Sequence, residues 1–407
     1  MVTRKETQYL LFSNKFSLNI SPTLLILMTI FIDITGFGIV LPLLPFYAET
    51  FQAGSTALGV LVASFALMQF LFSPILGRLS DHYGRRPILL LSILTSVVSF
   101  LLFALANSFF MLLLSRIIAG LATEIGVAKA YISDVTSEKE RTKWMGRMGA
   151  AQGAGFIIGP ALGGFLSIYS FQAAGFAAAA IALLNLVFAF FFLPESKTPL
   201  KDVEKSEAST SRFSGIISVF SKPMMSSLLA ILFIMGLAFA AFPVIMPLLA
   251  ISLFGLSSST MSFFFIYIGL VQIVFQGFIV GKLASRLGDE KLIPLGSLLM
   301  TVGVFFMAVF PIYHVFIVLT TIMMIGIGIL GTAIPSVISK RTSQSEQGST
   351  FGVTQSISSI ARIPGPLIGG FLFEFAGFGA PFFLSAFMLA IATILGVRLN
   401  LKKEHLT

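Results

Sequence analysis

Five ionisable side chains lie deep inside long apolar runs of this sequence. They are Asp33, Arg116, Glu124, Lys129 and Arg362. An ionised group in hydrocarbon is unfavourable by several kcal/mol unless it is paired or reached by water, so such groups mark ion pairing, proton transfer or ligand binding. Asp33 and Glu124 each lie about eleven residues, or roughly 16 Å, from the same end of their predicted helices. We therefore expect the two carboxyl groups at one level of the molecule.

Proton transfer inside the apolar region would depend on these carboxyl groups. The three histidines lie in polar connections or in the tail: His82, His314 and His405. Arg116, Gly120 and Glu124 recur at four-residue steps, so they share one helix face, which we expect to line a cavity. One hypothesis is that Asp33, Glu124 or both exchange a proton, with Arg116 as the switching partner. The alternative is a permanent structural ion pair.

Two further cations have open interpretations. Lys129 lies about six residues from its helix end, so its long stem can reach water, although a cavity position is the alternative. Arg362 lies about 14 residues, or roughly 21 Å, into its run. The last six apolar runs hold no acidic residue at that depth. The partner of Arg362 is therefore backbone, a carboxylate of the other half, or an anionic group on a ligand.

The elements that position these residues are membrane-spanning helices. The chain has 407 residues, of which 56% are hydrophobic and only 11% charged. Twelve runs are long enough to cross roughly 30 Å of hydrocarbon at about 1.5 Å per residue. The first six are 22–47, 56–77, 87–106, 108–134, 145–167 and 170–193. The last six are 223–249, 258–281, 291–311, 313–338, 348–371 and 376–398.

Between the two sets lies a charged, Pro-containing segment at 194–222. We therefore expect an all-α membrane protein of two six-helix bundles, over residues 1–193 and 223–407, joined by a linker. The connections near six positions contain no Lys or Arg: Glu49, Asn107, Tyr169, Gly255, Tyr313 and Gly377. All basic connections, both termini and the linker thus share one side, which we expect to be the cytoplasmic side of a cell membrane.

The two halves carry an internal repeat. Gly77-Arg78-Leu79 recurs as Gly281-Lys282-Leu283. Seven further residues recur at a constant offset of 206: Glu140, Gly146, Gly159, Pro160, Gly163, Gly164 and Phe165 match Glu346, Gly352, Gly365, Pro366, Gly369, Gly370 and Phe371. Six spans per repeat make the repeats parallel, which favours a site at the midplane between pseudo-symmetric halves that rock around it. The alternative is a duplication that serves packing alone.

These residues resemble the major facilitator superfamily, and within it the twelve-span drug/proton antiporters typified by tetracycline exporters. The connection from Gly77 to Pro87, GRLSDHYGRRP, is similar to the family signature G-x-L-x-D-x-x-G-R-R/K. The resemblance implies a conformational latch, whose residues are Gly77, Asp81, Gly84, Arg85 and Arg86. In the second half the acidic position is Ser285, so the latch is expected on one side only.

Further motifs point to the same group. The fifth run has a pattern similar to that of antiporters: Gly155, Gly159, Pro160, Gly163 and Gly164. The Asp33-x-x-Gly36-x-Gly38 pattern of the first run and Arg116 resemble drug exporters, in which this arginine is implicated in proton coupling. Gln69 fits the same group and, with Lys129 and Arg362, is expected in the substrate cavity. Glu124 and Lys129 depart from the pattern, since the group usually has small, uncharged residues there.

The motifs also have direct physical interpretations. Asp81, in a short connection, could latch one conformation by lying against the positive end of another helix. The alternative is that Asp81, Arg85 and Arg86 are only a solvated topology signal. Glycines at four-residue steps allow another backbone to approach closely, and Pro160 removes a donor and bends its helix. The alternative for this motif is ordinary tight packing.

The leading functional hypothesis is proton-coupled efflux of small amphipathic compounds, multidrug or tetracycline-like, by alternating access. The second is a proton-coupled symporter or exchanger of a hydrophilic metabolite, including an anionic one, because the residues at membrane depth include three basic and only two acidic side chains. A membrane enzyme or ATP-driven pump finds no support, because the sequence has no Cys and no G-x-x-x-x-G-K-[ST] loop. We expect a monomer in the lipid bilayer that acts on a small molecule and protons, without metal, other cofactor or nucleic acid.

Overall fold

The computed structural model describes residues 21–122, 124–136, 138–196, 223–342 and 347–404. Residues 1–20 and 405–407, and all of the expected linker beyond residue 196, lie outside this description. The predicted all-α architecture is confirmed over the described ranges, which are helical almost throughout and contain no β-strand.

The six spans of the first half follow the predicted order. Spans 1 to 6 are Pro22–Glu49, Ser55–Tyr83, Arg85–Ala104, Phe109–Val135, Glu138–Ser167 and Phe171–Phe192. Span 1 contains a short 3-10 turn at Leu41–Leu43, where Pro42 lies. Span 4 consists of two helices, Phe109–Leu121 and Glu124–Val135.

The second half repeats this arrangement. Spans 7 to 12 are Pro223–Ser252, Ser258–Leu287, Asp289–Val309, Tyr313–Arg341, Gln347–Ala376 and Gly379–Glu404. Among the described residues, eleven helices are individually long and apolar enough to cross a membrane. The twelfth, span 8, is divided by a π-helical turn at Phe275–Ile279, which leaves an apolar helix of 17 residues at Ser258–Val274.

Several helices are longer than the apolar runs from which they were predicted. Span 2 continues to Tyr83, span 5 begins at Glu138, and span 10 continues to Arg341. Apolar composition marks only the part of a helix that lies in hydrocarbon, whereas backbone hydrogen bonding continues into the polar boundary. The predicted ends were therefore too short at the charged side of the molecule.

Local signals fix the helix ends. Serine side chains accept hydrogen bonds from backbone N–H groups in the first turns of spans 1, 4, 6 and 8, as N-cap residues do. Gly84 and Gly288 join spans 2 and 3 and spans 8 and 9, with φ of 100° and 82° respectively. Only glycine adopts such angles without strain, so each pair of helices can turn back on a single residue.

Within the first half, span 1 packs on spans 5 and 6, span 3 on span 6, and span 2 on span 4. Within the second half, span 9 packs on spans 10 and 12, and span 7 on span 11. The halves meet mainly through two helix pairs, span 2 with span 11 and span 5 with span 8, and span 1 adds smaller contacts with spans 7 and 8. We call this surface the seam.

The two ends of the seam differ. The basic face carries the connections around Arg85 and Lys282, and the opposite face carries the turns around Gly54 and Gly255. Near the opposite face, a Cβ added at Gly59 of span 2 would lie 2.5 Å from the Pro366 carbonyl oxygen of span 11. Toward the basic face, Cβ atoms added at Gly149 or Gly153 of span 5 would meet nothing within 4 Å. The halves are therefore in contact at the opposite face.

Candidate functional site

The two buried carboxyl groups of the first half come together around one serine. Asp33 of span 1 is 8% exposed and Glu124 of span 4 is 4% exposed. Ser96 of span 3 donates a hydrogen bond from Oγ to Glu124 Oε1 at 3.0 Å. Asp33 interacts with the same serine and with the charge of Glu124. The structure thus places Asp33 and Glu124 at one level, and we call them, with Ser96, the carboxyl cluster.

A helix break positions Glu124. The first helix of span 4 ends at Leu121, Ala122 has an extended ψ of 115°, and Glu124 is the first residue of the next helix. A carboxylate is favoured at a helix amino terminus, where backbone N–H groups point outward. The expectation of one continuous face from Arg116 to Glu124 is therefore not met. Gly120, moreover, packs against the Phe65 carbonyl of span 2 instead of lining an open space.

Arg116 lies buried and apart from the carboxyl cluster. Its side chain is 2% exposed. Nε lies 3.4 Å from Ser115 Oγ, and the guanidinium lies 5.9 Å from the centre of the Phe103 ring. Nη2 has no hydrogen-bond partner among the described residues. A buried cation with unused donors is a costly arrangement, and one that a different conformation or a bound group can relieve.

The expected cavity residues lie on both sides of the seam. Gln69 lies in the middle of span 2 and is half-buried. Lys129 of span 4 and Arg362 of span 11 are both exposed, and Lys129 experiences the charge of Arg362. The two cations therefore approach one another from opposite halves of the molecule.

The expected latch residues form a network within the first half. Arg85 Nη2 donates to Asp81 Oδ1 at 2.7 Å, Nε donates to Asp134 Oδ2 at 3.0 Å, and Nη1 donates to Ser80 Oγ at 2.6 Å. Arg86 donates to the Phe190 carbonyl of span 6. Gly77 lies in span 2 with open space beside it. In this conformation Arg85 thus joins the ends of spans 2, 3 and 4.

Glu195, which was not predicted, completes the network. Its carboxylate accepts hydrogen bonds from the backbone N–H groups of Arg85 at 2.8 Å and Arg86 at 3.1 Å. Glu195 thereby caps span 3 from the end of span 6. A Cβ at Gly84 would lie 2.5 Å from its Oε2, so Gly84 is required by both its φ and this contact. The only feature of the sequence that could have indicated this capping role is that Glu195 comes directly after an apolar run.

The second half holds an equivalent ion pair with the opposite signs. Arg85 and Asp134 correspond in the repeat to Asp289 and Lys340, at offsets of 204 and 206. Lys340 Nζ lies 2.5 Å from Asp289 Oδ2, which also accepts from Ser336 Oγ at 2.6 Å. Each half therefore ties the start of its third span to the end of its fourth through a pair of opposite charges.

Replacement of Arg85 by Gln should destabilise the protein. The Arg85 side chain is 8% exposed, and its loss removes the cation between Asp81 and Asp134. Arg85 is the buried member of this network and its loss leaves Asp134 without its cation, so we expect the thermal midpoint to fall by roughly 3–10 °C. Arg78→Gln, at an exposed position of the same segment, is the control. Equal midpoints for the two variants in a thermal melt would contradict this account of the network.

The glycine motif of span 5 contacts two other spans. Cβ atoms at Gly155, Gly159 and Gly163 would collide with the backbone or side chains of span 1, and Pro160 lies against Gly38 of that span. Gly164 faces the other way, where a Cβ would overlap Ser262 of span 8. The motif therefore packs span 5 closely on span 1 and, through Gly164, on the other half.

A second unpredicted carboxylate links the halves at the opposite face. Glu374, at the end of span 11, accepts a hydrogen bond at 2.7 Å from the backbone N–H of Thr56, in the first turn of span 2. The N-cap residue Gly54 has no side chain to serve this purpose. Ser258 Oγ of span 8 also donates to Ser167 Oγ of span 5 at 3.0 Å. Glu374 thus caps a helix of the other half.

The described residues contain no group of three or more His, Cys, Asp or Glu side chains that could hold a metal ion. The chemistry that the arrangement supports is protonation of a carboxyl cluster buried among spans 1, 3 and 4 of the first half.

Comparison with known proteins agrees with this architecture. The family model described as Major Facilitator Superfamily matches residues 26–366 and 254–406. Tetracycline resistance protein, class E, from Escherichia coli is 36% identical over 355 residues, which cover 86% of this chain and 87% of the relative. Multidrug resistance protein 2 from Bacillus subtilis is 29% identical over 385 residues, with coverages of 93% and 95%.

A solved structure shows the same fold. It is a bacterial homologue of the human lysosomal transporter Spinster in an inward-facing and occupied conformation, with a TM-score of 0.76 and 15% identity over 93% of this chain and 96% of that chain. With the family model covering most of the sequence, this chain belongs to the Major Facilitator Superfamily.

Proposed function

We propose that the protein is a secondary transporter that exports small amphipathic compounds in exchange for protons. The observation that carries this proposal is the carboxyl cluster, in which Asp33 and Glu124 are buried together inside one half of a molecule whose halves touch near one face. The relatives named for tetracycline and multidrug resistance support drug-like compounds as substrates.

The basic face is the cytoplasmic face in this proposal. Lys and Arg residues in short connections favour the cytoplasmic side, and here they all lie at one end of the helices. The amino terminus, the linker and the carboxy terminus then also lie in the cytoplasm of a multi-pass cell-membrane protein. With this orientation the halves touch near the outer face, so the conformation is inward-facing.

Transport then requires the seam to open and close at its two ends in turn. Residues 1–193 and 223–407 act as two units that rock about the middle of spans 2, 5, 8 and 11. The contacts at the outer end of the seam connect one unit with the other. These contacts must therefore break when the protein opens to the outside. Close backbone packing at Gly59 and Gly370 gives this end a discrete closed state, and one monomer is sufficient for the cycle.

Proton exchange at the carboxyl cluster sets the direction in which substrate is transported. A proton that enters from outside neutralises the cluster and favours the inward-facing state seen here. A substrate then enters from the cytoplasm, the proton leaves, and the cluster becomes charged. Arg116, whose Nη2 has no described partner in this state, serves as the cation toward which the charged cluster turns.

The latch acts at the cytoplasmic end. In the structure Asp81 is bound to Arg85 of its own half, and its side chain is 55% exposed. When the cytoplasmic end closes, we infer that this carboxylate lies against the amino-terminal end of a helix of the other half, where the helix dipole favours it. Ser285 stands at the equivalent position of the second half and cannot do the same.

Glu374→Gln should weaken the closed outer end. The amide carries no negative charge to cap span 2 at Thr56, so the outward-facing population should rise roughly twofold to tenfold. The chain has no native Cys, so Ser262→Cys gives a single thiol buried at this end of the seam, where an impermeant maleimide reports opening. Glu49→Gln, at another exposed carboxylate of the same face, is the control. Unchanged labelling in Glu374→Gln would contradict a capping role.

The proposed function is tested by the direction of transport. In everted vesicles with an acidic lumen, a fluorescent tetracycline or multidrug substrate should accumulate inside as protons leave. Collapse of the pH gradient should release it. Movement of the drug in the same direction as the protons would indicate a symporter, and accumulation that ignores the gradient would contradict proton coupling.

A further inference from the structure

Two exposed cations, one in each half, have no place in the proton exchange described above. Lys129 and Arg362 are exposed, although both belong to membrane spans. Neither side chain forms an ion pair or a hydrogen bond with another described residue. The charge that Lys129 experiences most directly is that of Arg362, which has the same sign.

A proline places Arg362 at the point where the seam opens. Span 11 is broken between the helices Gln347–Ala361 and Pro364–Ala376. Pro364 has no backbone N–H and its ring crowds the carbonyl four residues earlier, so it favours the interruption that lies directly before it. Arg362 lies one turn before Pro366, whose carbonyl lies beside Gly59 of span 2. The arginine therefore lies just inside the last contact between the halves.

Lys129 approaches from the other half. It follows Gly126, whose added Cβ would lie 3.4 Å from Ser73 Oγ of span 2. Span 4 thus runs beside the half of span 2 that leads to the basic face, and the Lys129 side chain is exposed there. Span 11 of the other half packs on the same span 2, and the charge of Arg362 is near enough to act on Lys129.

The two buried carboxyl groups of the first half do not pair with these cations. Asp33 and Glu124 are buried with Ser96 between spans 1, 3 and 4. Two like charges that act on one another where water is partly excluded repel, and an anion bound between them relieves the repulsion. Arginine supplies a planar fork that binds an oxyanion through two donors, and lysine adds a mobile point charge.

We propose that Lys129 and Arg362 together bind an anionic group, such as a carboxylate or sulfonate, on the amphipathic substrate. The inference rests on the proposed export function, because it specifies the charge of the exported compound. An anion held by both side chains bridges the two halves and removes the repulsion that opposes closure of the basic face. Substrate binding thereby favours the transition that carries the substrate outward.

The proposal has an electrical consequence. Outward movement of one anion and inward movement of one proton transfer charge in the same electrical direction. A membrane potential that is negative inside therefore drives both movements. Exchange of a monovalent cationic drug for one proton would transfer no net charge.

Two dyes with the same aromatic scaffold test the site directly. Fluorescein carries an anionic carboxylate, and a rhodamine ester is cationic. Binding of each dye is measured by fluorescence anisotropy on the full chain in nanodiscs. Arg362→Gln and Lys129→Gln should each weaken fluorescein binding roughly tenfold or more, since a hydrogen bond to a charged group contributes about that much. Rhodamine ester binding should stay the same or become stronger.

The controls separate charge from shape. Lys129→Arg should retain fluorescein binding, and Arg362→Glu should reverse the preference between the dyes. Lys291→Gln, at an exposed cation outside the seam, should leave both affinities unchanged. The proposal is overturned if both Gln variants bind fluorescein as the unaltered protein does, or if the unaltered protein prefers the cationic dye.

Vesicle transport distinguishes this proposal from the proposed function. A potassium diffusion potential that mimics a negative cytoplasm should accelerate fluorescein export several-fold, and Arg362→Gln should remove this preference for the anion. Export of the cationic dye alone, driven by the pH gradient, would support proton-coupled export and contradict the anion site. Charge-selective binding of fluorescein without transport of either dye would retain the site and contradict the export function.

Discussion

Replacement of both Asp33 by Asn and Glu124 by Gln is expected to abolish transport driven by a pH gradient, down to the level of empty vesicles. The two side chains are the buried carboxyl groups that share Ser96, and the described histidines all lie outside the apolar core. The amide variants preserve the shape and hydrogen-bonding capacity of the cluster but cannot take up or release a proton.

Three comparisons make this prediction specific. Exchange of substrate across the membrane without a pH gradient should persist in the double variant, which separates lost coupling from misfolding. Each single variant should retain part of the coupling, because one carboxyl remains. Glu49→Gln, at a carboxylate outside the cluster, should transport normally. Gradient-driven transport at the unaltered level in the double variant would end the assignment of coupling to these residues.

A methyl group at Gly370 or Gly59 is expected to favour the outward-facing state strongly and to reduce transport. A Cβ at Gly370 would overlap the Ser55 carbonyl, and one at Gly59 would lie 2.5 Å from the Pro366 carbonyl. These obstacles are backbone atoms, which cannot rotate away, so the added methyl must push spans 2 and 11 apart. The clash exists only while the outer end is closed.

Labelling of Ser262→Cys by an impermeant maleimide measures this shift. We expect labelling in Gly370→Ala to rise by at least roughly tenfold, as overpacking of a tight contact commonly costs 1–3 kcal/mol. Gly281→Ala is the matched control, since no atom lies within 4 Å of the position of its added Cβ. If Gly370→Ala and Gly281→Ala label alike, the contact between spans 2 and 11 does not hold the outer end closed.

The general architecture could be predicted because the membrane imposes it. Runs of sufficient apolar length must be helices, and the segregation of Lys and Arg separates the two faces. The recurrence of the motif at 159–165 as 365–371 indicated two related halves. The common depth of Asp33 and Glu124 followed from residue counting alone, because helix rise is nearly constant.

The departures have local causes that counting does not capture. Span 4 breaks at Ala122, which removes Glu124 from the face of Arg116. Span 11 breaks before Pro364. The residue that corresponds to Pro364 in the first half is Ile158, and span 5 continues through it as a helix. The proline was a visible signal. Nothing comparable in the sequence marks the break at Ala122.

Contacts between distant segments were the least predictable part of the site. Glu195 and Glu374 each cap a helix that is far away in sequence. Both lie outside apolar runs, where charged residues are common, so the sequence did not mark them as functional. Ser96 is one of many serines in the spans. Its role depends on two carboxyl groups that reach it from spans 1 and 4.

The most direct test of the account is a distance measured across the basic face at two pH values. The chain contains no Cys, so His82→Cys and Arg286→Cys can carry one spin label on each half. At low pH the distance should be long, as in the inward-facing state, and at high pH a shorter distance should appear. In Asp33→Asn/Glu124→Gln the long distance should persist at both values. The same pH response with and without the two carboxyl groups would contradict the claim that their protonation controls the seam.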